Sequence, residues 1–125
     1  MAELGQLELH VRGQTGQVLR LDISTAEGYI IGRSDLVNSN YLPDVDLNES
    51  DAAEHGVSRR HAAIVNFNNA ICLVDLNSSN GTFINGEKLR ADYPHVLRDE
   101  DELRFGTLFV RVTFSLHAPT IPGRS

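Results

Sequence analysis

The stretch that decides the fold is Gly56-Val57-Ser58-Arg59-Arg60-His61, which runs directly into the apolar segment Ala62-Ala63-Ile64-Val65. The first part is a turn-like hexapeptide that carries a hydroxyl, two guanidinium groups and an imidazole. The second part is a short apolar run of the kind that forms a buried strand. A loop rich in hydrogen-bond donors and free of carboxylates, held by a strand, predicts a binding site for an anion.

Alternating polarity on both sides of this stretch predicts further strands. Leu7, Leu9 and Val11 alternate with polar residues, and the pattern returns in Leu19, Leu21 and Ile23 after a turn over residues 13–16. Period-two alternation is typical of strands that bury one face, so residues 6–23 are predicted to form a hairpin.

The rest of the chain continues as short strands separated by turns. We expect strands at 29–31, 62–67, 71–76, 95–105 and 108–114, and a short one that includes Val45 and Leu47. Asn85-Gly86 predicts a type I′ hairpin turn, and residues 48–55 form at most one helical turn, with Asn48 or Ser50 as its cap. This pattern predicts an all-β sandwich.

Composition narrows the class of function. The chain has 125 residues and a net charge of -6, which argues against a sequence-independent nucleic-acid or membrane binder. The single cysteine, Cys72, excludes an intrachain disulfide and a cysteine-based zinc site, and we expect it in the core. No apolar run is long enough to cross a membrane, and the N-terminus lacks the pattern of a signal peptide, so we expect a cytoplasmic protein.

The sequence contains only incomplete versions of motifs for catalysis and metal binding. Ser58 and His61 suggest a nucleophile and its base, but a nucleophile elbow requires glycine where Arg60 stands. The series Asp44, Asp46 and Asn48 begins like a calcium loop, and then departs from that pattern at the next required positions. Nucleotide-binding fingerprints are also absent from the sequence. We therefore expect a binding protein that is not an enzyme and needs no cofactor or metal.

The sequence resembles a known protein family at three polar turns, each of which lies next to a predicted strand. They are Tyr29-Ile30-Ile31-Gly32-Arg33-Ser34, Val57-Ser58-Arg59-Arg60-His61-Ala62 and the segment from Leu76 to Gly86. In this order and strand context they resemble a forkhead-associated (FHA) domain, a module that binds phosphothreonine peptides. The resemblance implies a sandwich of about eleven strands in two sheets, with the ligand held by loops at one end.

The resemblance also implies a role for individual residues. Arg33 would place its guanidinium on the phosphate, and Ser58 would donate its hydroxyl to the same group. Arg59 matches a position that contacts the peptide and the phosphate, and Ser79 matches a hydroxyl that completes the phosphate cradle. Asn80 would bond the peptide backbone beside the phosphothreonine.

Other residues are expected to support the site or to lie outside it. Gly32, His61 and Gly81 match positions that hold the loops in shape. Arg60 is left outside the site, since the family pattern is permissive there. Each of three residues also has a simpler alternative role. Arg33 would pair with Asp35 on the surface, and Ser58 would form a hydrogen bond with the backbone of its own turn. Arg59 would be a solvated charge.

The expected organisation is one domain over residues 1–116, followed by a flexible tail over 117–125. The expected partner is a protein or peptide that carries phosphothreonine, bound by a monomer. One alternative is a phospho-independent interaction scaffold. Another is self-recognition, in which Thr120 in the tail is phosphorylated and occupies the site.

Overall fold

The computed structural model describes residues 3–12, 17–22 and 28–117, and short strands dominate this part of the chain. The strands are β1 (Glu3–Val11), β2 (Val18–Asp22), β3 (Tyr29–Gly32), β4 (Val45–Asp46), β5 (Ala62–Phe67), β6 (Ala70–Asp75), β7 (Thr82–Ile84), β8 (Glu87–Lys88), β9 (His95–Val96), β10 (Glu102–Phe105) and β11 (Leu108–His117). One 3₁₀ turn, Asn48–Ser50, lies between β4 and β5. None of the helical structure in these ranges has the length and apolarity needed to cross a bilayer.

The strands form two sheets, so the predicted sandwich of about eleven strands is confirmed. The six-stranded sheet has the order β2-β1-β11-β10-β7-β8, and the five-stranded sheet has the order β4-β3-β5-β6-β9. Strand pairs are antiparallel throughout the described chain except for β3 and β4, which run parallel. The chain passes from β3 to β4 through a polar connection over residues 33–44, which we call the long connection.

The predicted N-terminal hairpin is present and supplies one side of the core. β1 pairs with β2 and also with β11, which places Leu9 opposite both Leu19 and Val112. The side chains of Leu7, Leu9 and Val112 are fully buried, as the alternation requires when one sheet face covers the core. The expected turn at 13–16 and Ile23 lie outside the described residues.

The second sheet closes the core from the other side. Ile31, Ile64 and Leu73 are buried on adjacent strands. β5 pairs with β6 along its whole length and with β3 over residues 62–64. Cys72 is also buried and free, as expected for a core residue. Burying aliphatic side chains of this size stabilises the fold by about 1.5–3 kcal/mol each, so this core holds the two sheets together.

Two local predictions are wrong. Leu47 occupies the N-cap position of the 3₁₀ turn without a capping side chain, and Asp51 ends it in the left-handed region with φ 57°, so neither Asn48 nor Ser50 is the cap. Residues 97–101 do not continue the strand that was predicted over 95–105. There the buried Asp101 accepts a 2.8 Å hydrogen bond from the backbone N–H of Arg98 and closes a turn.

Loops from both sheets meet at one end of the sandwich. β3 ends there, β5 begins there, and β6 ends there, because Ile31 is paired with Ala62 and Ala62 with Asp75. The six-stranded sheet contributes the start of β7 and the end of β10. There the backbone N–H of Gly106 donates to the carbonyl of Gly81 at 3.0 Å. This end therefore gathers the three polar turns that the sequence singled out. β11 reaches one residue into the expected tail, and residues 118–125, with Thr120, lie outside the described residues.

Candidate functional site

An open cleft of about 490 Å³ lies among the loops at this end. Its lining residues are Arg33, Tyr41, Ser58, Arg59, Arg60, Asn77 and Ser79. Three of them are arginines and none is acidic, although the whole chain carries a net charge of -6. A concave, donor-rich surface of this charge favours an anionic ligand.

The position of Arg33 depends on the close approach of two backbones. A Cβ atom on Gly32 would lie 1.7 Å from the carbonyl oxygen of Arg59, so only glycine fits beside this loop. The Nε atom of Arg33 donates a 2.7 Å hydrogen bond to the carbonyl of Val57. That bond orients the guanidinium group and leaves its terminal amino groups for a ligand.

The carboxylate that could have neutralised Arg33 is paired with another arginine. Asp35 accepts a 3.3 Å hydrogen bond from Arg59, whose side chain is 56% exposed, so the surface pair of Arg33 with Asp35 is not the arrangement found. An exposed pair of this kind contributes little to stability. It does hold the Arg59 guanidinium at the rim of the cleft.

His61 supports the hexapeptide from behind. Its imidazole is fully buried, and Nδ1 accepts a 3.0 Å hydrogen bond from the backbone N–H of Ser58. Nε2 must then carry the proton, and it donates to the carbonyl of Gly81 at 2.8 Å. The ring also packs edge-on against Phe105, at 5.5 Å between centroids. His61 thus fastens two loops of the site to the core.

Burial has a consequence for the protonation of this histidine. Burial lowers the pKa of His61 below its ordinary value, and the hydrogen bond to Gly81 and the nearby carboxylate of Asp75 offset only part of that effect. A proton added at Nδ1 would also face the N–H of Ser58, so two donors would be opposed. The neutral imidazole is the form that fits this site.

The hydroxyl of Ser58 is linked to the third loop. Ser58 Oγ accepts a 3.2 Å hydrogen bond from the backbone N–H of Ser79. Because the oxygen is the acceptor in that bond, the hydroxyl proton of Ser58 can be donated to a ligand. The arrangement brings Arg33, Ser58 and Ser79 together from three separate turns.

A buried carboxylate shapes the loop that carries Ser79. Asp75 is 5% exposed and accepts hydrogen bonds from the hydroxyls of Ser78 at 2.5 Å and Thr82 at 2.6 Å. The Ser78 hydroxyl oxygen in turn accepts from the backbone N–H of Gly81 at 3.0 Å. Charge-assisted bonds of this kind compensate the burial of the carboxylate and make the loop rigid.

Asn80 has a different position from the other predicted ligand-binding residues. Its side-chain amide donates a 2.9 Å hydrogen bond to the carbonyl of Gly56, and it is not among the residues that line the cleft. Gly56 has φ 78°, and a Cβ atom there would lie 2.5 Å from Asn80 Nδ2. The contact fastens two loops together. The expected bond from Asn80 to a peptide backbone stays a prediction.

Three residues of the cleft wall were not predicted: Tyr41, Arg60 and Asn77. Arg60 could have been included on charge and position alone, because it adjoins Arg59. Tyr41 comes from the middle of the long connection, where no periodic pattern points to it. Asn77 resembles an ordinary turn residue, with φ 58° and a side-chain bond of 2.9 Å to Asp92.

The hydroxyl of Tyr41 is buried and has no hydrogen-bond partner within the described ranges. Burial raises the pKa of this phenol above its ordinary value, while the positive charges of Arg60 and Arg59 act in the opposite direction. An unsatisfied buried donor costs roughly 1–3 kcal/mol. The ring contributes an aromatic wall between the connection and the arginines.

Two acidic residues at the start of β4, Asp44 and Asp46, form hydrogen bonds within the chain. Asp44 accepts a 2.8 Å hydrogen bond from the backbone N–H of Ile30, and Asp46 accepts from those of Ser34 and Asn48 at 2.9 and 3.0 Å. Within the described chain no group of His, Cys, Asp or Glu residues is arranged to hold a metal ion. These carboxylates brace β3 and β4.

A second open cleft, of about 430 Å³, lies over β1, β10 and β11 and includes the ring of Phe109. Its charges are compensated within the chain. Arg12 pairs with Glu102, and Arg111 lies 3.7 Å from Glu100. Because its arginines are already paired with glutamates, this cleft is a weaker candidate for an anion-binding site than the cleft around Arg33.

The described chain is a two-sheet β-sandwich whose loops at one end form a cleft lined by three arginines and no acidic residue. These features define the class of protein to which it is compared. The model of the FHA domain family matches residues 29–106, which include all three polar turns. The chain belongs to this family, and FHA domains are binding modules.

Known proteins and structures agree with this membership. A 50-residue segment is 46% identical to a protein phosphatase 1 regulatory inhibitor subunit PPP1R8 homologue of Arabidopsis thaliana, and covers 39% of this chain and 14% of that relative. The chain thus spans only a small part of that relative's length.

Two solved structures illustrate the similarity. An FHA domain studied for phosphothreonine-dependent interactions has 28% identity and a TM-score of 0.65, with 86% of this chain and 95% of that chain covered. Mycobacterium tuberculosis EmbR in complex with a low-affinity phosphopeptide has 27% identity and a TM-score of 0.67, with 94% of this chain and 26% of that chain covered.

Proposed function

We propose that this chain is a phosphothreonine-dependent module that recruits partners phosphorylated by a Ser/Thr kinase. The observation that carries the proposal is the convergence of Arg33, Ser58 and Ser79 on one cleft that, in the described chain, no carboxylate lines. Family membership supports it, since an FHA domain similar to this chain was studied for phosphothreonine-dependent interactions. We also propose that the protein acts in the cytoplasm, where Ser/Thr kinases can phosphorylate its partners.

Each part of the cleft has a role in this proposal. A phosphate near neutral pH carries a charge of about -1.5 to -2 and three acceptor oxygens. The terminal amino groups of Arg33 bind one or two of these oxygens, and the hydroxyl of Ser58 donates to another. Ser79 closes the cradle, while Arg59 and Arg60 supply further positive charge at the rim. The preference for threonine over serine is proposed from the family alone.

The test is titration calorimetry with a phosphothreonine peptide selected from a degenerate library. We expect binding to the phosphopeptide and none to its unphosphorylated twin. Charge-assisted hydrogen bonds contribute about 1.5–3 kcal/mol each, so Arg33→Ala should weaken binding by roughly tenfold to several hundredfold.

The matched control is Arg20→Ala. Arg20 pairs with Glu8 on the outer edge of the six-stranded sheet, away from the cleft residues. This variant should bind like the wild type. Equal affinity of Arg33→Ala and wild type would overturn the assignment of the cleft, and binding of unmodified partners alone would favour the phospho-independent scaffold.

A further inference from the structure

The five-stranded sheet has an apolar surface on the side that faces away from the core. Residues of a strand alternate between the two faces of its sheet. Ile64 and Leu73 belong to the core cluster, so their neighbours Ala63 and Val74 lie on the outer face. The same alternation over β3, β5, β6 and β9 places eight apolar residues there, namely Ile30, Ala63, Val65, Phe67, Ala70, Cys72, Val74 and Val96. We call this set the outer apolar face.

The members of the outer apolar face are neighbours across the strands. Cys72 on β6 lies opposite Val65 on β5 and Val96 on β9, and Ala63 on β5 lies opposite Ile30 on β3. Directly opposed residues on one face are about 4.5–5.5 Å apart. Ala63 and Cys72 are buried although they lie outside the core cluster, because larger side chains surround them. The set therefore forms one continuous surface.

The outer face of the six-stranded sheet has the opposite character. There Glu8 lies opposite Arg20, and Glu102 lies opposite Arg111. A sheet that meets water on one side alternates apolar and polar residues, whereas strands that are apolar on both faces are typical of a sheet covered on both sides. β5 and β6 have this second pattern, with the sequences AAIVNF and AICLVD. The outer apolar face thus has the composition of a surface that is covered by another layer.

Charge indicates what covers this surface. Phe67 is 51% exposed and Val96 is 46% exposed, so the face is open at least at these two positions. Over β3, β5, β6 and β9, the described outer face carries no ionised side chain, although the whole chain has a net charge of -6. Two copies of the chain can approach at this face without placing like charges opposite each other. An isologous contact requires a surface that is complementary to itself, and a flat uncharged face meets that requirement.

The size of the face predicts the strength of such a contact. Four strands about 4.8 Å apart and six residues of roughly 3.4 Å each give a surface of about 400 Å² per copy. Two copies would bury about 800 Å², which is less than the roughly 1,200–2,000 Å² of stable complexes. Sheets pack face to face about 10 Å apart, and the small side chains of Ala63, Ala70 and Cys72 allow that approach. The expected contact is therefore reversible and depends on protein concentration.

We propose that the outer apolar face joins two copies of this chain, sheet against sheet, in a reversible two-fold dimer. This state differs from the monomer expected from the sequence. None of the residues that line the cleft belongs to this face, so the contact leaves both clefts accessible. The dimer then presents two clefts and binds two phosphorylated sites of one partner with increased avidity. This last consequence rests on the proposed function, whereas the dimer itself does not.

The experiment is sedimentation equilibrium of the full chain, from about 10 μM to about 1 mM protein. The apparent mass of the wild type should rise with concentration from the monomer mass of 13.8 kDa towards twice that value. The double variant Phe67→Glu/Val96→Glu removes the two most exposed side chains of the face and adds charge to it. Its dimer dissociation constant should rise by at least about a hundredfold, so that it stays monomeric.

A matched control separates the effect of the face from that of added charge. Leu36→Glu/Val37→Glu also replaces two exposed apolar residues by glutamate, but these lie in the long connection and not on the sheet. This control should dimerise like the wild type. Circular dichroism shows whether both double variants are folded, and Val96→Glu alone, on the edge strand β9, repeats the test with a smaller change. Added salt should preserve or strengthen the dimer, because it screens the repulsion between two negatively charged chains.

The outcomes separate this inference from the proposed function. A monomer mass at every concentration, as expected if another segment or another protein covers the face, would overturn the dimer. A dimer that Phe67→Glu/Val96→Glu retains, or that the control variant loses, would overturn the role of the outer apolar face. Each of these results leaves the cleft assignment intact. Absence of phosphopeptide binding would overturn the bivalent consequence alone and leave the dimer standing.

Discussion

The Nδ1 atom of His61 accepts a 3.0 Å hydrogen bond from the backbone N–H of Ser58, so the residue expected to touch the ligand is placed by a buried imidazole. On the opposite side of the ring, Nε2 donates to Gly81. This single side chain therefore links the second and third turns of the site. The neutral ring is required for both bonds, and this requirement makes the fold sensitive to pH.

Stability should fall as the pH is lowered through about 6.5, the ordinary pKa of histidine. The pKa of His61 is lowered in the folded state, so below that pH the unfolded chain binds more protons than the folded one. The free energy of unfolding should therefore decrease by up to about 1.4 kcal/mol per pH unit, until the folded pKa is reached.

Urea denaturation from pH 8 to pH 5 measures this effect. His61→Gln should be less stable than the wild type at pH 7.5, but its free energy of unfolding should depend less on pH. Other titrating groups are common to both proteins, so the difference isolates His61. Parallel curves for the two proteins would contradict the prediction.

Replacement of Arg33 by lysine should not preserve binding. Arg33 uses Nε to bond the carbonyl of Val57 and presents its terminal amino groups to the cleft, whereas lysine offers one ammonium group. We expect Arg33→Lys to weaken phosphopeptide binding at least about tenfold, as measured by calorimetry. Arg20→Lys is the matched control and should bind normally. Full affinity of Arg33→Lys would show that a point charge suffices.

Two glycines should differ in how they tolerate alanine. Gly32→Ala places a Cβ atom 1.7 Å from a backbone oxygen, whereas a Cβ atom on Gly86, with φ 87°, would meet no other atom within 4 Å. We expect Gly32→Ala to lower the free energy of unfolding by about 2–4 kcal/mol, from steric overlap in a packed region. Gly86→Ala should cost about 1–2 kcal/mol, from conformation alone. Equal losses in urea denaturation would contradict the role given to Gly32.

Removing the hydroxyl of Tyr41 should not harm the fold. This hydroxyl is buried and lacks a partner in the described part of the chain, so Tyr41→Phe should leave stability unchanged or raise it by up to about 1 kcal/mol. Tyr29→Phe is the contrasting variant, because the Tyr29 hydroxyl donates to the carbonyl of Asp22 at 2.5 Å. It should lose about 1 kcal/mol. Thermal denaturation compares the two, and a larger loss for Tyr41→Phe would refute the prediction.

Much of the fold could be predicted because its signals are local. Alternation in β1 and β2 reflects the pleat of a strand, and Asn85-Gly86 adopts the two positive φ angles, 48° and 87°, that its type I′ turn requires. The strand predicted over 95–105 failed at its middle. There the apolar Leu97 resembles a strand residue, but a turn closed by Asp101 ends the pairing.

Periodicity and turn chemistry in the sequence determined an all-β sandwich and the three turns that carry Arg33, Ser58 and Ser79, because these signals act over a few residues. The approximate number of strands was implied by the family resemblance. Tertiary structure alone decided that Asp35 pairs with Arg59 and that Tyr41 lines the cleft. These contacts join segments far apart in the chain. Their geometry follows from how the loops pack at the end of the sandwich, which no local pattern encodes.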